Sequence, residues 1–280
     1  MILDGVFPSA FDKNHGAVAG LAFLGVVALL ALAAPLIFPG DPLDLVAEPL
    51  LWPLQSMAHP LGTDRLGRDL AAGLSHGALV SLAIGLAAAA AAICIGTFVG
   101  ALAGYYGGWT DELLMRLAEA FQTVPSFVLA LALVAVLGPA SSSVVIAIAV
   151  TSWTGTARVV RAEVMSLRER PFVEACRAIG MGDGRIIFSE ILPNALSGVI
   201  VLGTLIVAGA ILVESALSFL GLGDPNRVSW GMMIAGGRGV LRSAWFVSAI
   251  PGLAIALTVV ALCLLGDGLT DALDPKRRRR

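Results

Sequence analysis

Residues 77–110, GALVSLAIGLAAAAAAICIGTFVGALAGYYGGWT, contain no Asp, Glu, Lys or Arg. A helix crosses a hydrocarbon core of roughly 30 Å with about 20 predominantly apolar residues, and this stretch is longer than that. A charge at the centre of such a helix costs about 2.5–3.5 kcal/mol on insertion scales, so charge-free runs locate the spans. The second membrane helix is therefore expected near Ala78–Leu102. The whole composition agrees with this reading. Of 280 residues, 58% are hydrophobic and only 14% charged, and mean hydropathy is +0.89. Soluble domains run near ~45–50% apolar and ~25% charged. A chain so poor in charge cannot cover its own core in water, and a net charge of −2 gives no case for nucleic-acid binding.

The same criterion, applied outward from this run, places the other spans. Ala17–Phe38 is the first. Between Glu119 and Arg158 lies another charge-free run, long enough for two crossings. The Gly138-Pro139-Ala140-Ser141-Ser142-Ser143 stretch divides it, because these residues disfavour a continuous helix. This gives a third span near Leu113–Leu137 and a fourth near Val144–Val160. The fifth is expected near Ala195–Val213 and the sixth near Ala244–Gly266. The chain is thus read as an all-α integral membrane protein of six helices. Its organisation is an N-terminal stretch 1–16, a first helix with an outer loop 17–77, a core of five helices 78–266 and a basic tail 267–280.

Basic residues set the orientation, since they accumulate on the cytoplasmic side. Lys13, Arg116, the six arginines from Arg158 to Arg185, Lys276 and Arg277 to Arg280 fall on the side of both termini, 13 of the 18 basic residues. Arg65, Arg68, Arg227, Arg238 and Arg242 fall on the other. Both termini are expected in the cytoplasm, with the tail read as an anchor near anionic lipid.

The inner loop, about 161–194, carries the most structure. Pro171 suits a first helical turn. Phe172, Cys176 and Ile179 form an apolar stripe, with Glu174 and Arg177 on the other face. Gly180 is placed as a left-handed cap, Asp183 as the N-cap of a second helix from Arg185 to Leu192, and Pro193 as a stop or a kink into the fifth span. Helices that lie on a lipid surface are one alternative. The mixed charges of Glu169, Glu174, Asp183 and Glu190 with Arg168, Arg170, Arg177 and Arg185 suit a groove on another protein better.

Glu174-Ala175-Cys176, three residues, Gly180, nine residues and Glu190-Ile191-Leu192-Pro193 together resemble the EAA loop of ABC-importer permeases. Cys176 stands where the pattern has its second alanine, and Glu190 where it has an apolar residue. Four further segments resemble the dipeptide, oligopeptide and nickel branch of that family. They are His59-Pro60-Leu61-Gly62-Thr63-Asp64-Arg65-Leu66-Gly67-Arg68-Asp69; Gly104 to Trp109 with Asp111 and Arg116; Ser218 to Gly223 leading to Trp230-Gly231; and Gly266 to Pro275. Their order over residues 55–275 is similar to that of the second, C-type permease.

The resemblance implies a type I ABC importer permease (MetI-like) fold and a multi-pass protein of a prokaryotic plasma (inner) membrane. It implies coupling to the ATPase through Glu174, Ala175, Cys176, Gly180, Asp183, Leu192 and Pro193. It also implies four partners: a homologous second permease, two cytoplasmic ATPase subunits and an extracytoplasmic substrate-binding protein. Short peptides are the favoured cargo, with glutathione-like ligands and nickel as alternatives.

A P-loop needs Gly-Lys-Ser/Thr, and the only lysines, Lys13 and Lys276, follow Asp12 and Pro275. ATP and Mg would be bound by partner subunits, and the chain is expected to be neither an enzyme nor a cofactor carrier. Gly73-Leu74-Ser75-His76-Gly77 fits the GxSxG pattern, but it leads into a membrane helix rather than a strand-to-helix elbow. An intramembrane serine protease and a gradient-driven secondary transporter are the rival classes.

Gly96, Gly100 and Gly104 form consecutive GxxxG steps, a helix-packing face turned either to this subunit or to another. Glu119 and Glu214 are expected at span edges, where an intramembrane carboxylate with a neighbour such as Ser215 could alternatively mark a substrate path. Trp109, Trp153, Trp230 and Trp245 are expected as interface anchors. Cys94, Cys176 and Cys263 are read as small buried side chains without metal spacing.

Overall fold

The computed structural model describes residues 14–273, without the side chains of Leu196, Ser197 and Leu273. Lys13 and the basic cluster Lys276 to Arg280 lie outside the described residues. Their regular structure is helical, with no strand among them. In chain order the helices are α1 (His15–Ile37), α2 (Leu70–Tyr106), α3 (Gly108–Gln122), α4 (Ser126–Leu137), α5 (Ser141–Arg168) and α6 (Pro171–Ala178). A single turn, α7 (Asp183–Arg185), and a π-helical turn (Ile186–Ile191) then lead into α8 (Leu192–Phe219). The last two helices are α9 (Trp230–Gly237) and α10 (Phe246–Leu273).

Five helices are long and apolar enough to cross a membrane, six if the bent pair α3 and α4 counts as one span. The expected third span is therefore not one straight helix. It breaks between Gln122 and Ser126 with an 81° bend. Pro125 is responsible: it has no N–H to continue the ladder, and its own ψ of 126° is extended. The α3 arm carries Asp111, Glu112, Arg116 and Glu119 along one amphipathic face, and Glu119 is exposed. The α4 arm, SFVLALALVAVL, has no charge and packs on α5.

The 37-residue helix α2 forms the spine of the fold. At a rise of about 1.5 Å per residue it is ~55 Å long, more than the hydrocarbon core requires. Asp69 starts it, its Oδ1 accepting the amides of Ala71 at 2.7 Å and Ala72 at 3.4 Å. Its most extensive contact is with α5. Gly96, Gly100 and Gly104 are the reason. A Cβ at Gly96 would stand 2.6 Å from the Trp153 carbonyl oxygen, and one at Gly104 would stand 2.7 Å from that of Arg161. At Gly100 it would collide with the Ala157 carbonyl. The stripe thus faces this subunit's own α5, where absence of side chains lets the two backbones meet. α8 packs on the other side of α2, and α1 closes onto α10. There Asn14 caps α1 and also donates to Asp271 Oδ2 at 3.1 Å.

Burial corrects three smaller expectations. Trp109 and Trp245 are exposed on the single chain, but Trp153 and Trp230 are core residues. Trp230 donates its indole N–H to the Leu74 carbonyl at 2.9 Å, and Trp153 stacks edge-on with Phe121. Cys94 is exposed, while Cys176 and Cys263 are half-buried.

Candidate functional site: the coupling segment

Pro171 opens α6 at its first turn, as its ring geometry favours. Val173 is fully buried, and with Phe172 and Cys176 it packs into a cluster formed by Tyr105, Val160, Val164, Ile186, Ile187 and Ile191. The stripe read from sequence is thus rotated. Val173 belongs to it, while Ile179 is 78% exposed. Burying an aliphatic side chain of this size is worth ~1.5–3 kcal/mol in water, enough to hold a two-turn helix that could not stand alone.

Gly180 adopts φ +78°, the left-handed cap that the sequence calls for. The Gly180 amide donates to the Arg177 carbonyl at 3.0 Å, and the Met181 amide to that of Cys176 at 3.0 Å, so two terminal carbonyls are satisfied. Asp183 does not cap the next helix. It stands inside the first turn, and Gly182 occupies the cap position with no side-chain bond. The Asp183 carboxylate instead accepts the Tyr105 hydroxyl at 2.7 Å. Arg177 lies over the Tyr105 ring with its guanidinium 5.4 Å from the centroid.

The second helix does not stop at Pro193. It runs on into α8 through the π-turn, where the Leu192 amide bonds the Ile187 carbonyl five residues back. Proline at 193 has no amide to offer the previous turn, and a wider turn before it accommodates the missing donor. Leu192 is buried in the same cluster as Val173, whereas Pro193 is exposed. Glu174, Ala175, Gly180 and Asp183 are exposed as well, and Cys176 is half-covered. An outward face of Glu174, Ala175, Arg177, Ala178, Ile179 and Phe188 results, apolar and charged by turns.

Sequence reading missed what fixes this segment to the bundle. Arg161 on α5 makes a bidentate ion pair with Asp111 on α3. Arg168 Nη1 donates to the carbonyls of Gly104 and Tyr105 at 3.2 and 3.1 Å, capping the end of α2. Arg161, which the sequence marks for orientation alone, and Arg168, which it also marks as part of the mixed-charge face, are thus side-chain clamps. Their spacing, seven residues and two helical turns apart on one face, was the available signal.

At the opposite end of α2 the other expected site residues separate. Glu214 is buried. It is only 1% exposed within α8, where its carboxyl accepts the Ser218 hydroxyl at 2.8 Å and the Ser215 hydroxyl at 3.3 Å. Ser215 also bonds the Ile211 carbonyl. Ser75 and His76 bond the backbone carbonyls of Ala71 and Phe38, and form no pair with each other. In the 38–69 segment, His59 Nδ1 meets Asp69 Oδ2 at 2.9 Å and Thr63 is fully buried. Asp224 holds the turn between α4 and α5 by accepting the Ser141 hydroxyl at 2.8 Å and its amide at 3.2 Å. Partial burial pushes the Asp224 carboxyl up, but the Ser141 and Asn226 hydrogen bonds and the Arg227 charge outweigh it and hold the carboxyl below the usual range. Among the described residues no three His, Cys, Asp or Glu side chains converge as metal ligands.

Comparison with known proteins agrees with this architecture. Residues 96–279 match the family described as "Binding-protein-dependent transport system inner membrane component". Residues 9–53 match "N-terminal TM domain of oligopeptide transport permease C". The chain is 43% identical over 276 residues to the di/tripeptide transport system permease protein DppC of Pseudomonas aeruginosa strain UCBPP-PA14, covering 96% of this chain and 91% of that protein. It is 39% identical over 267 residues to the glutathione transport system permease protein GsiD of Pectobacterium atrosepticum, covering 95% and 89%. A chain of the MetNI methionine ABC transporter, solved in inward-facing conformations, superposes with a TM-score of 0.59 at 19% identity, over 72% of this chain and 96% of that one. That likeness is one of fold. The length and identity of the sequence matches settle the kinship: the chain belongs to the family of binding-protein-dependent transport system inner membrane components.

Proposed function

We propose that this chain is the permease subunit of an ATP-driven importer of short peptides, supplying half of a translocation pathway. A homologous permease supplies the other half, two ATPase subunits dock on the 171–193 segment, and a substrate-binding protein delivers cargo to the opposite face. Both termini face the cytoplasm of a prokaryotic inner membrane. ATP and Mg belong to the ATPases, and this chain needs no cofactor. One observation supports the reading above others. The segment presents a mixed apolar and charged face, yet its inner face is locked onto α2, α5 and α8. A surface helix meant for lipid would gain nothing from such anchoring, whereas one that receives a mechanical push depends on it.

Glu174, Ala175, Cys176, Gly180, Asp183 and Pro193 are assigned to that coupling face, with Leu192 supporting it from below. The Gly96, Gly100 and Gly104 stripe keeps α2 and α5 moving together. Glu214 and Ser215 serve an internal polar tie rather than the substrate path, because the carboxyl is enclosed by the hydroxyls of Ser215 and Ser218 on its own helix and of Ser81 and Ser229 on neighbouring segments. The glutathione permease among the relatives keeps a γ-linked tripeptide as a second candidate cargo.

The test is purification of the tagged chain from its native membrane, followed by reconstitution. Co-purification of a second permease and two ATPases, with hydrolysis and uptake stimulated by a binding protein loaded with dipeptide, is the expected result. Stimulation by glutathione alone selects the second cargo. Recovery of this chain by itself, with flux driven by an ion gradient, refutes the importer.

A further inference from the structure

A cavity of about 420 Å3 opens between the 38–69 segment, the start of α2 and the residues around α9. It stands at the end of α2 opposite the coupling segment and is separate from it. Its volume falls in the ~300–1,000 Å3 range of small-ligand sites and exceeds what one side chain fills. Leu70, Met233 and Val247 give it an apolar wall, and five charged residues line it: Asp64, Arg65, Arg68, Asp69 and Asp224.

The charges differ in what they have left to bond. Asp64 Oδ1 accepts the amides of Leu66 at 2.7 Å and Arg68 at 2.9 Å. Asp69 is engaged by the start of α2 and by His59. Asp224 is engaged by Ser141 and Asn226. The carboxylates therefore have structural partners. Arg68 does not: its Nε is buried without any hydrogen-bond partner, and the guanidinium forms no ion pair among the described residues. A buried donor left unmade is costly, and a charged one more so. A planar guanidinium is best satisfied by a carboxylate. Three aspartates against two arginines leave the wall with one negative charge in excess, which repels a simple anion and suits a ligand bearing both signs.

We propose that this cavity binds a free short peptide as a zwitterion, its carboxylate on Arg68, its ammonium toward the aspartate-lined wall and its side chains on the apolar wall. The proposal rests on the peptide-importer reading and adds a binding site on the permease itself.

The experiment uses the complete permease–ATPase complex in nanodiscs, without binding protein, and tritiated Leu-Leu as probe. Saturable binding is expected, displaced by unlabelled Leu-Leu but not by its C-terminal amide or N-acetyl form. Arg68→Gln weakens it at least tenfold. Gly236→Phe serves as a second variant. Gly236 lines the cavity and a Cβ there meets no atom within 4 Å, so a side chain starts into open space. It should abolish binding while leaving Arg68 in place.

Absence of saturable binding, or binding unchanged in both variants, overturns the site. So does loss of binding-protein docking in Arg68→Gln with peptide affinity intact, since the guanidinium would then serve an acidic side chain. ATP-driven uptake of Leu-Leu with loaded binding protein separates the two claims. Uptake without direct binding overturns the site and leaves the importer standing. Arg68-dependent binding without uptake overturns peptide import and keeps the site.

Discussion

Gly180 offers the sharpest test of the coupling segment, because its environment separates conformational strain from crowding. A Cβ built there meets no atom of this chain within 4 Å, so crowding inside the permease does not oppose a substitution. Within the chain the obstacle is the backbone: at φ +78° an L-residue pays about 1–2 kcal/mol. That lowers the population of the capped conformation by about five- to thirtyfold. Asparagine visits this region readily, alanine less so, and a β-branched residue is an outlier there. The order of damage should therefore be Asn, Ala, Val, and size should not predict it. The loss stays local. Val173 keeps the start of α6 pinned in its buried cluster, so the segment frays from Arg177 to Met181 rather than detaching.

The assay is ATP-driven uptake in proteoliposomes, paired with recovery of the ATPases on the tagged permease. Gly180→Asn is expected to retain most uptake, Gly180→Ala to lose most of it and Gly180→Val to abolish it, with normal insertion of the permease in all three. Wild-type uptake in a normally expressed Gly180→Val complex would refute the reasoning. Equal damage by Asn and Val would refute it too, since it would trace the effect to bulk at a docking surface.

Three further outcomes follow from contacts elsewhere. Gly100→Leu should destabilise the permease by roughly 1–3 kcal/mol or more through overpacking against Ala157 and Val160, read as a lower midpoint of thermal unfolding in detergent. Arg161→Met strands Asp111, and with side chains 33% and 17% exposed the cost should be about 1–3 kcal/mol, between the exposed and buried limits; the double exchange Asp111→Arg with Arg161→Asp should recover part of it. For Asp224, the folded carboxyl titrates below its ordinary value of about 3.9, so its contribution is complete above that pH and disappears as pH falls through the lower folded value. An acid titration of stability should show a loss that is absent in Asp224→Asn, which is already weaker at neutral pH.

The spans and the α6 cap could be read from sequence because each rests on local chemistry. Charge-free length requires a membrane helix, and Pro171 and Gly180 punctuate a helix by their own backbone preferences. The bend in the third span was equally local, and Pro125 marked it, but an apolar run with the length of a crossing concealed the break. The remaining differences depend on neighbours distant in the chain. Asp183 has the right residue type and position for a cap, and only Tyr105, 78 residues earlier, draws it away. Glu214 reads as an interfacial acid until Ser218 and the bulk of the bundle enclose it. The glycine stripe announced close approach without naming its partner, since the facing residues Ala157 and Val160 carry no periodic mark of their own.

If α6 receives the push proposed above, these long-range contacts carry it to the far end of the molecule. Three routes converge on α2: the buried cluster around Val173, the Tyr105–Asp183 bond and the Arg168 cap. From there the glycine stripe presses α2 and α5 together backbone to backbone, with no long side chain between them to absorb displacement. Close-packed interfaces of this kind move as bodies rather than deforming. The route into α8 is different, because the π-turn at Ile186–Ile191 interrupts the regular ladder between the segment and that helix. The close-packed route thus leads along α2 to its Asp69 cap, beside Arg68 and the cavity, while the route into α8 passes through the π-turn. On the proposed coupling role, a displacement at Ile179 would be delivered preferentially to the end of the bundle where ligand would be received.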